Sequence, residues 1–322
     1  MDKILITGSA GFIGFHLAKS LIEDGHDVCG IDNLNNYYNP ALKKHRLEIL
    51  NSFKNFSFQN VDISIRESLR DSFNSFKPNK VVNLAAQAGV RYSIENPYSY
   101  LNSNLVGFTN LIELCRHNNV DGLIYASSSS VYGGNKKKPF SVSDRVDNPI
   151  SLYAATKKAN ELIANSYSHL YGLHTTGLRF FTVYGPFGRP DMAIYIFTEN
   201  ILADKTISVF NNGDMKRDFT YIDDIVSGTK AAIEKNYKCE IFNLGNNKSE
   251  ALMDIIYLIE KYISRKAKIN FMPMQPGDVK ESFADINKSV QLLNFNPKTS
   301  IEIGIKSFID WFMKYHSNNK NK

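Results

Sequence analysis

The stretch Ile6-Thr7-Gly8-Ser9-Ala10-Gly11-Phe12-Ile13-Gly14 constrains this chain more than any other. An apolar run from Lys3 to Thr7 leads into it and a longer amphipathic run over 15–24 leads out, so strand, glycine turn and helix follow one another without a spacer. With a second apolar run at 28–31 this predicts a βαβ unit. Short, continuously apolar strands of this kind suit a parallel sheet covered on both faces. The glycines have separable jobs: one makes the tight turn, one lets backbone amides approach a phosphate, and one lets the helix pack close to the strand. A glycine triplet is a weak signal alone. Between a strand and a helix it points to a dinucleotide.

The alternation continues. Further strands are predicted at 56–59, 80–84, 122–126 and 175–179, separated by helices at about 65–75, 102–117 and 152–171. This is the pattern of an α/β protein with a Rossmann-type, doubly wound parallel sheet. After Phe181 the rhythm breaks into a loop rich in glycine and proline, then a helix over 193–203, and a strand over 240–244 that can return to the sheet. The expected division is a cofactor-binding domain at 1–180, rejoined by 218–248. A smaller, discontinuous substrate-binding region follows at 181–217 and 249–316, and then a flexible tail at 317–322.

With 322 residues, 43% apolar and 22% charged, the chain can bury a large core. Lysine and arginine outnumber aspartate and glutamate by 38 to 32, a mild excess that suits an anionic small molecule and gives no nucleic-acid footprint. Cys29, Cys115 and Cys239 lie far apart without metal-ligand or disulfide spacing, and are expected to be buried small hydrophobes in a reducing compartment. The first strand begins at Lys3, leaving no room for a leader, and no apolar run approaches the roughly 18 residues of a membrane span. A cytoplasmic protein with neither membrane nor nucleic-acid partners is expected.

Asp32 ends the second predicted strand, where a carboxylate accepts hydrogen bonds from an adenosine ribose and repels a 2′-phosphate. That favours NAD over NADP, although a surface turn is the other reading, since Asn33 follows. Asp62 either faces an adenine or caps the helix near Ile65.

Tyr153 and Lys157 are four apart, which stacks them on one helix face. A lysine beside a phenol lowers a pKa of about 10 toward working pH and makes a general acid/base. Such pairs are common by chance. This one follows Ser127-Ser128-Ser129-Ser130, a strand end where one hydroxyl can share a hydrogen bond with a reacting oxygen.

Seven segments, TGSAGFIG, LAAQAGVRYSIENP, SSSSVYGG, YAATK, LRFFTVYGPFGRPDMA, KRDFTYIDDI and PGDV, together resemble those of extended short-chain dehydrogenase/reductases acting on nucleotide sugars. The set is most similar to bacterial and plant UDP-glucuronate 4-epimerases and covers nearly the whole chain. The resemblance implies that Tyr153 is the base, Lys157 its partner and Ser128 the catalytic hydroxyl. It implies that Gly8, Gly11, Phe12, Ile13, Gly14, Asp32 and Asn33 hold NAD, with Asp62 and Ile63 near the adenine and Ala85, Ala86, Gln87 and Asn104 in the cofactor-binding segments. Arg217 would meet the UDP phosphates, with Asp278 in the neighbouring turn. Many relatives place a second arginine where this chain has Gln275. Arg189 would meet a sugar carboxylate, with Thr182, Ser128 and Ser129 as hydroxyl partners and Arg91 as a second candidate.

Related dehydratases and decarboxylases carry an acid where this chain has Ser129 and Ser130, so the implied reaction is C4 epimerisation. UDP-glucuronate becomes UDP-galacturonate through a 4-keto intermediate, with hydride returned to the opposite face and NAD retained. The alternatives are a 4-epimerase of UDP-N-acetylglucosamine or UDP-glucose, and a non-catalytic NAD-binding sensor. The latter would have no need of Tyr153, Lys157 and Ser128. Relatives are commonly homodimers built on the helices at 102–117 and 152–171.

Overall fold

The protein is described by a computed structural model covering residues 1–275 and 277–319. Six strands follow the sequence pattern: β1 Lys3–Thr7, β2 Asp27–Asp32, β3 Phe56–Asn60, β4 Lys80–Asn83, β5 Gly122–Ser128 and β6 Thr175–Phe180. A seventh, Cys239–Leu244, pairs with β6 and completes a parallel sheet in which β1 lies between β2 and β4. The chain runs outward from β1 through β2 to β3 and then returns to β4 on the other side of β1, so the carboxyl ends of β1 and β4 open a crevice at the switch point. Thr7 knits the two ends there: its hydroxyl donates to Asn83 Oδ1 at 2.7 Å and accepts from the Ala85 amide at 3.1 Å.

Three helices cover the first strands, α1 Phe12–Glu23, α2 Ala41–Leu50 and α3 Arg66–Phe76. The helix Leu152–Tyr171 runs over the expected residues because both ends are specified locally. Ser151 accepts the Ala154 amide at 3.1 Å at one end, and Gly172 takes a left-handed conformation at the other. Tyr153 therefore sits in the first helical turn.

Two expectations change. The helix expected over 102–117 begins as a π turn, Leu101–Val106, and becomes an α-helix only at Gly107–His117. The wider turn brings Asn104 inward. Helix α2 has no counterpart in the sequence reading, because its buried face mixes Leu42, Leu47 and Leu50 with the cations Lys43 and Arg46, which break the apolar periodicity.

One large apolar cluster includes Phe15 and Leu17 of α1 with Ile222 and Ile225 of the helix Ile222–Lys235. Another gathers Phe108, Leu111 and Phe73. A third, built on Ile194, Phe197, Ile255, Ile259, Ile305 and Phe308, belongs to the later part of the chain. Small pairings frame that part: Thr182–Tyr184 with Phe219–Tyr221, Thr206–Phe210 with Lys268–Met272, and Lys216–Arg217 between Glu250–Ala251 and Glu281–Ser282. Ala284, Ile286, Leu293 and Phe295, expected in the smaller region, join the first cluster instead, because the helix Asn287–Leu293 packs on the outermost strand.

Residues 317–319, expected in a flexible tail, continue the final helix Ile301–Asn319, and residues 320–322 lie outside the described residues, as does Pro276 of the Pro-Gly-Asp-Val segment. Cys29 and Cys115 are buried; Cys239 is exposed at the start of the outermost strand, contrary to expectation. No helix among the described residues is long and apolar enough to cross a membrane.

Candidate active site

The glycine turn is shaped by contacts that leave no space for side chains. Gly8 has a φ of +73°, and a Cβ there would stand 2.7 Å from the Ala85 amide nitrogen. A Cβ on Gly14 would stand 2.1 Å from the Gly8 carbonyl oxygen. Helix α1 starts after Gly11 with neither a capping side chain nor an acid in its first turn, so its amides remain available to an anion.

A cleft of about 250 Å³ runs along the carboxyl ends of the strands. Gly8, Gly11, Phe12, Ile13 and Gly14 line it, together with Asp32, Asn33, Asp62 and Ile63 and with Ala85, Ala86 and Gln87. Asn104, expected beside them, does not line the cleft. It is buried behind it, accepting the Gln87 amide at 2.8 Å, donating to the Gln87 carbonyl at 3.0 Å and donating to the Thr156 hydroxyl at 3.0 Å. Asn104 ties the loop after β4 to the helix that bears Tyr153.

Asp32 sits at the strand end as expected, its Oδ1 accepting the Leu34 amide at 2.8 Å with Lys43 Nζ 3.8 Å away. Asp62 accepts from Asn33 Nδ2 and from the amide and hydroxyl of Ser64, which makes a turn before α3 and leaves that helix without a side-chain cap. A glycine cradle, bare helix amides and a carboxylate at the far end together fit a dinucleotide without a 2′-phosphate.

Tyr153, Lys157 and Ser128 converge at the near end of the same cleft. Lys157 is buried and donates from Nζ to the Ala126 carbonyl at 2.8 Å, and burial pulls its pKa down to about 8. Burial pushes the Tyr153 phenol above its ordinary value; hydrogen bonding with Ser128 and the positive charge of Arg189 pull it back. The spacing predicts a phenol made acidic by Lys157. In the structure the phenol is made less acidic, and the cation acting on it is Arg189.

A larger cavity, about 580 Å³, adjoins the cleft. Arg91, Ser129, Thr182, Arg217 and Asp278 line only this cavity, whereas Ser128, Tyr153, Arg189, Tyr37 and Met192 line both. The catalytic candidates thus stand on the wall between two binding spaces.

Arg189 is engaged by its neighbour Asp191: Nε donates to Oδ1 at 3.0 Å and Nη2 donates to Oδ2, which also accepts the Tyr37 hydroxyl at 3.3 Å. This pairing leaves Nη1 outside it. Arg217 donates to the carbonyls of Lys216 and Lys280 and lies 3.4 Å from Asp278. Arg91, expected as a second reader of the sugar carboxylate, lies instead 3.6 Å from the same Asp278 and over the Phe210 ring. It stands beside Arg217 where the position of Gln275 supplies no cation.

Lys43, Tyr37 and Tyr38 also line the cleft, and the sequence carries no motif for them. Among the described residues no group of three or more His, Cys, Asp or Glu side chains is placed to hold a metal.

The family model for the NAD dependent epimerase/dehydratase family matches residues 4–245. The chain belongs to that family. UDP-glucuronate 4-epimerase 4 of Arabidopsis thaliana is 46% identical over 335 residues, covering 98% of this chain and 76% of that protein. The crystal structure of UDP-glucuronic acid 4-epimerase from Bacillus cereus with UDP-glucuronic acid and NAD matches with a TM-score of 0.92 at 36% identity, over 97% of this chain and 99% of that one. UDP-glucose 4-epimerase of Thermotoga maritima with UDP-glucose matches with a TM-score of 0.90 at 31% identity, over 98% and 99%.

Proposed function

We propose that this family member is an NAD-dependent UDP-glucuronate 4-epimerase that forms UDP-galacturonate. The observation that carries the reading is the shared wall: Tyr153, Ser128 and Arg189 face both the dinucleotide cleft and the larger cavity. The relatives named above support the acidic sugar.

The glycine turn and the bare end of α1 would hold the pyrophosphate, Asp32 the adenosine ribose, and Lys157 the nicotinamide ribose. Bound there, NAD would supply a hydride acceptor and donor for C4 of the sugar. The chain's own part begins with the proton: Tyr153 takes it from the C4 hydroxyl as the ketone forms and returns it when the sugar presents its other face, with Ser128 sharing the hydrogen bond. Ser129 and Ser130 line the larger cavity where an eliminating enzyme places an acid, so the protein has no group there to carry the keto sugar on to dehydration. Arg217 and Arg91 neutralise the diphosphate. Thr182 and Arg189 read the sugar, with Arg189 using the Nη1 edge that Asp191 leaves open.

A second reading has one observation in its favour. The Arg189–Asp191 pair is already balanced in charge, which suits a neutral hexose such as that of UDP-glucose or UDP-N-acetylglucosamine. Arg189→Ala separates the two. Loss of a charge-assisted contact predicts a kcat/KM for UDP-glucuronate lower by on the order of 100-fold, with any UDP-glucose turnover changed far less. Equal losses on both sugars would favour the neutral substrate.

The same reading brings three further proposals. Residues 1–180 with 218–248 serve the cofactor, and 181–217 with 249–316 the sugar nucleotide; the returning strand and the third apolar cluster support this division, while Ala284, Ile286, Leu293 and Phe295 pack with the first cluster. A homodimer forms across the helices at 102–117 and 152–171, where Val106, Leu162, Leu170 and Tyr171 are exposed. The protein works in the cytoplasm and supplies polysaccharide assembly.

A further inference from the structure

Arg46 is fully buried, at 0% exposure, and nothing in the proposed chemistry uses it. No carboxylate lies within ion-pair distance of it among the described residues. Burying a guanidinium without a counter-ion is costly unless its protons are taken up. Here oxygen atoms from three parts of the chain engage both Nη atoms, while Nε is left without a partner. Nη1 donates to the Ala10 carbonyl at 2.7 Å and to the Tyr38 hydroxyl at 3.1 Å, and Nη2 donates to the Phe187 carbonyl at 2.6 Å.

Both carbonyls belong to segments that face ligand. Ala10 lies inside the glycine turn, and Phe187 precedes Arg189 by two residues. Phe187 has a φ of +57°, a left-handed conformation that is strained for a side-chain-bearing residue and persists only when its surroundings hold it. They do so from the cofactor side. The rings of Phe15 and His16 on α1 pack against the Phe187 ring, with centroids 4.7 and 5.9 Å away. His16 Nε2 lies 2.9 Å from the Pro186 carbonyl, which can only accept, so that nitrogen carries the proton.

We infer that Arg46 is a positioning residue that joins the pyrophosphate-binding turn to the sugar-reading loop, so that cofactor retention and binding of the sugar portion are energetically coupled. The inference rests on the assignment of NAD and a UDP-sugar to the two cavities. A turn set by pyrophosphate fixes the Ala10 carbonyl, Arg46 carries that position to Phe187, and Arg189 follows along the chain. Coupling of this kind is reciprocal: a sugar that engages the loop slows loss of the cofactor. UDP alone, held by Arg217 and Arg91, does not engage it.

The test uses purified holoprotein and measures loss of bound NAD over time after rapid gel filtration, in saturating UDP or saturating UDP-glucuronate. The wild type is expected to release NAD at least about fivefold more slowly with UDP-glucuronate than with UDP. In Arg46→Met that ratio falls to about one. Arg46→Lys behaves like Arg46→Met, because a single ammonium does not reproduce the guanidinium fork that spans both carbonyls. His16→Phe keeps the ring contacts and removes one hydrogen bond, so its ratio falls part-way, which also covers the case in which Arg46→Met does not fold. A structural role alone would lower Tm and leave the ratio unchanged. Ratios equal to wild type in Arg46→Met and His16→Phe, or a wild-type ratio of one, overturn the inference. If the protein turns over UDP-glucose instead of UDP-glucuronate, the same ratio is read with UDP-glucose, so failure of the substrate assignment is distinguishable from failure of the coupling.

Discussion

A phenol that must both take and give a proton depends on its surroundings, and here burial and Ser128 act on Tyr153 first and the cation that acts on it is Arg189, not the lysine the spacing suggests. The i, i+4 relation of Tyr153 and Lys157 is legible in the sequence. The lysine's turn toward the Ala126 carbonyl and the approach of Arg189 are not, since both depend on how β5 and the loop at 185–192 meet in space. Tyr153→Phe is expected to lower kcat by about 10²–10⁴-fold while leaving NAD bound, read by turnover and by the cofactor content of the purified variant. Lys157 gives a sharper signature. Its folded pKa, about 8, lies below its ordinary value of 10.5, so the cost of burying the charge is fully present below pH 8. As pH rises from 8 to 10.5 the folded lysine loses its proton before the unfolded one does, and stability recovers. The protein should therefore gain on the order of 3 kcal/mol relative to Lys157→Met across that range, measured by denaturant unfolding at several pH values. Parallel curves for the two proteins would contradict the burial argument.

At the scale of elements, legibility followed what each element buries. The strands with continuous apolar runs and the helix Leu152–Tyr171 with its serine cap are apparent from local residues. Helix α2 is not, because Lys43 and Arg46 occupy positions on its buried face, and apolar periodicity is the signal by which helices are read. Lys43, which it contributes to the cleft, is hidden for the same reason. The π turn that places Asn104 behind the Gln87 loop, and not in the cleft, leaves no mark in the residue pattern. The glycine turn makes a prediction of its own. Gly14→Ala would bring a Cβ to 2.1 Å from the Gly8 carbonyl, so the turn must open. The variant is expected to be purified with little NAD and to lose about 1–3 kcal/mol of stability, seen in cofactor content and in Tm. Full NAD content would show that the close approach is not needed for binding.

For the whole molecule, the switch point of the sheet brings segments from residues 8–14, 85–87, 128, 153–157 and 189 to one line of cleft and cavity. Motif order foreshadows that convergence. It gives no information on which side chains pair when no ligand is considered, and the Arg189–Asp191 and Arg91–Asp278 contacts emerge only from the fold. The proposed dimer predicts a solution mass twice the chain's 36.5 kDa by light scattering, and a shift toward the monomer when Leu162 and Leu170 are both replaced by glutamate. A monomer in the wild type would contradict it. Epimerisation at C4 is read out by proton NMR of UDP-glucuronate mixed with purified protein and no added NAD. The UDP-galacturonate anomeric signal is expected to grow to a stable mixture with UDP-glucuronate. Absence of that signal from protein that retains NAD, with UDP-glucose or UDP-N-acetylglucosamine converted instead, would contradict the proposed function.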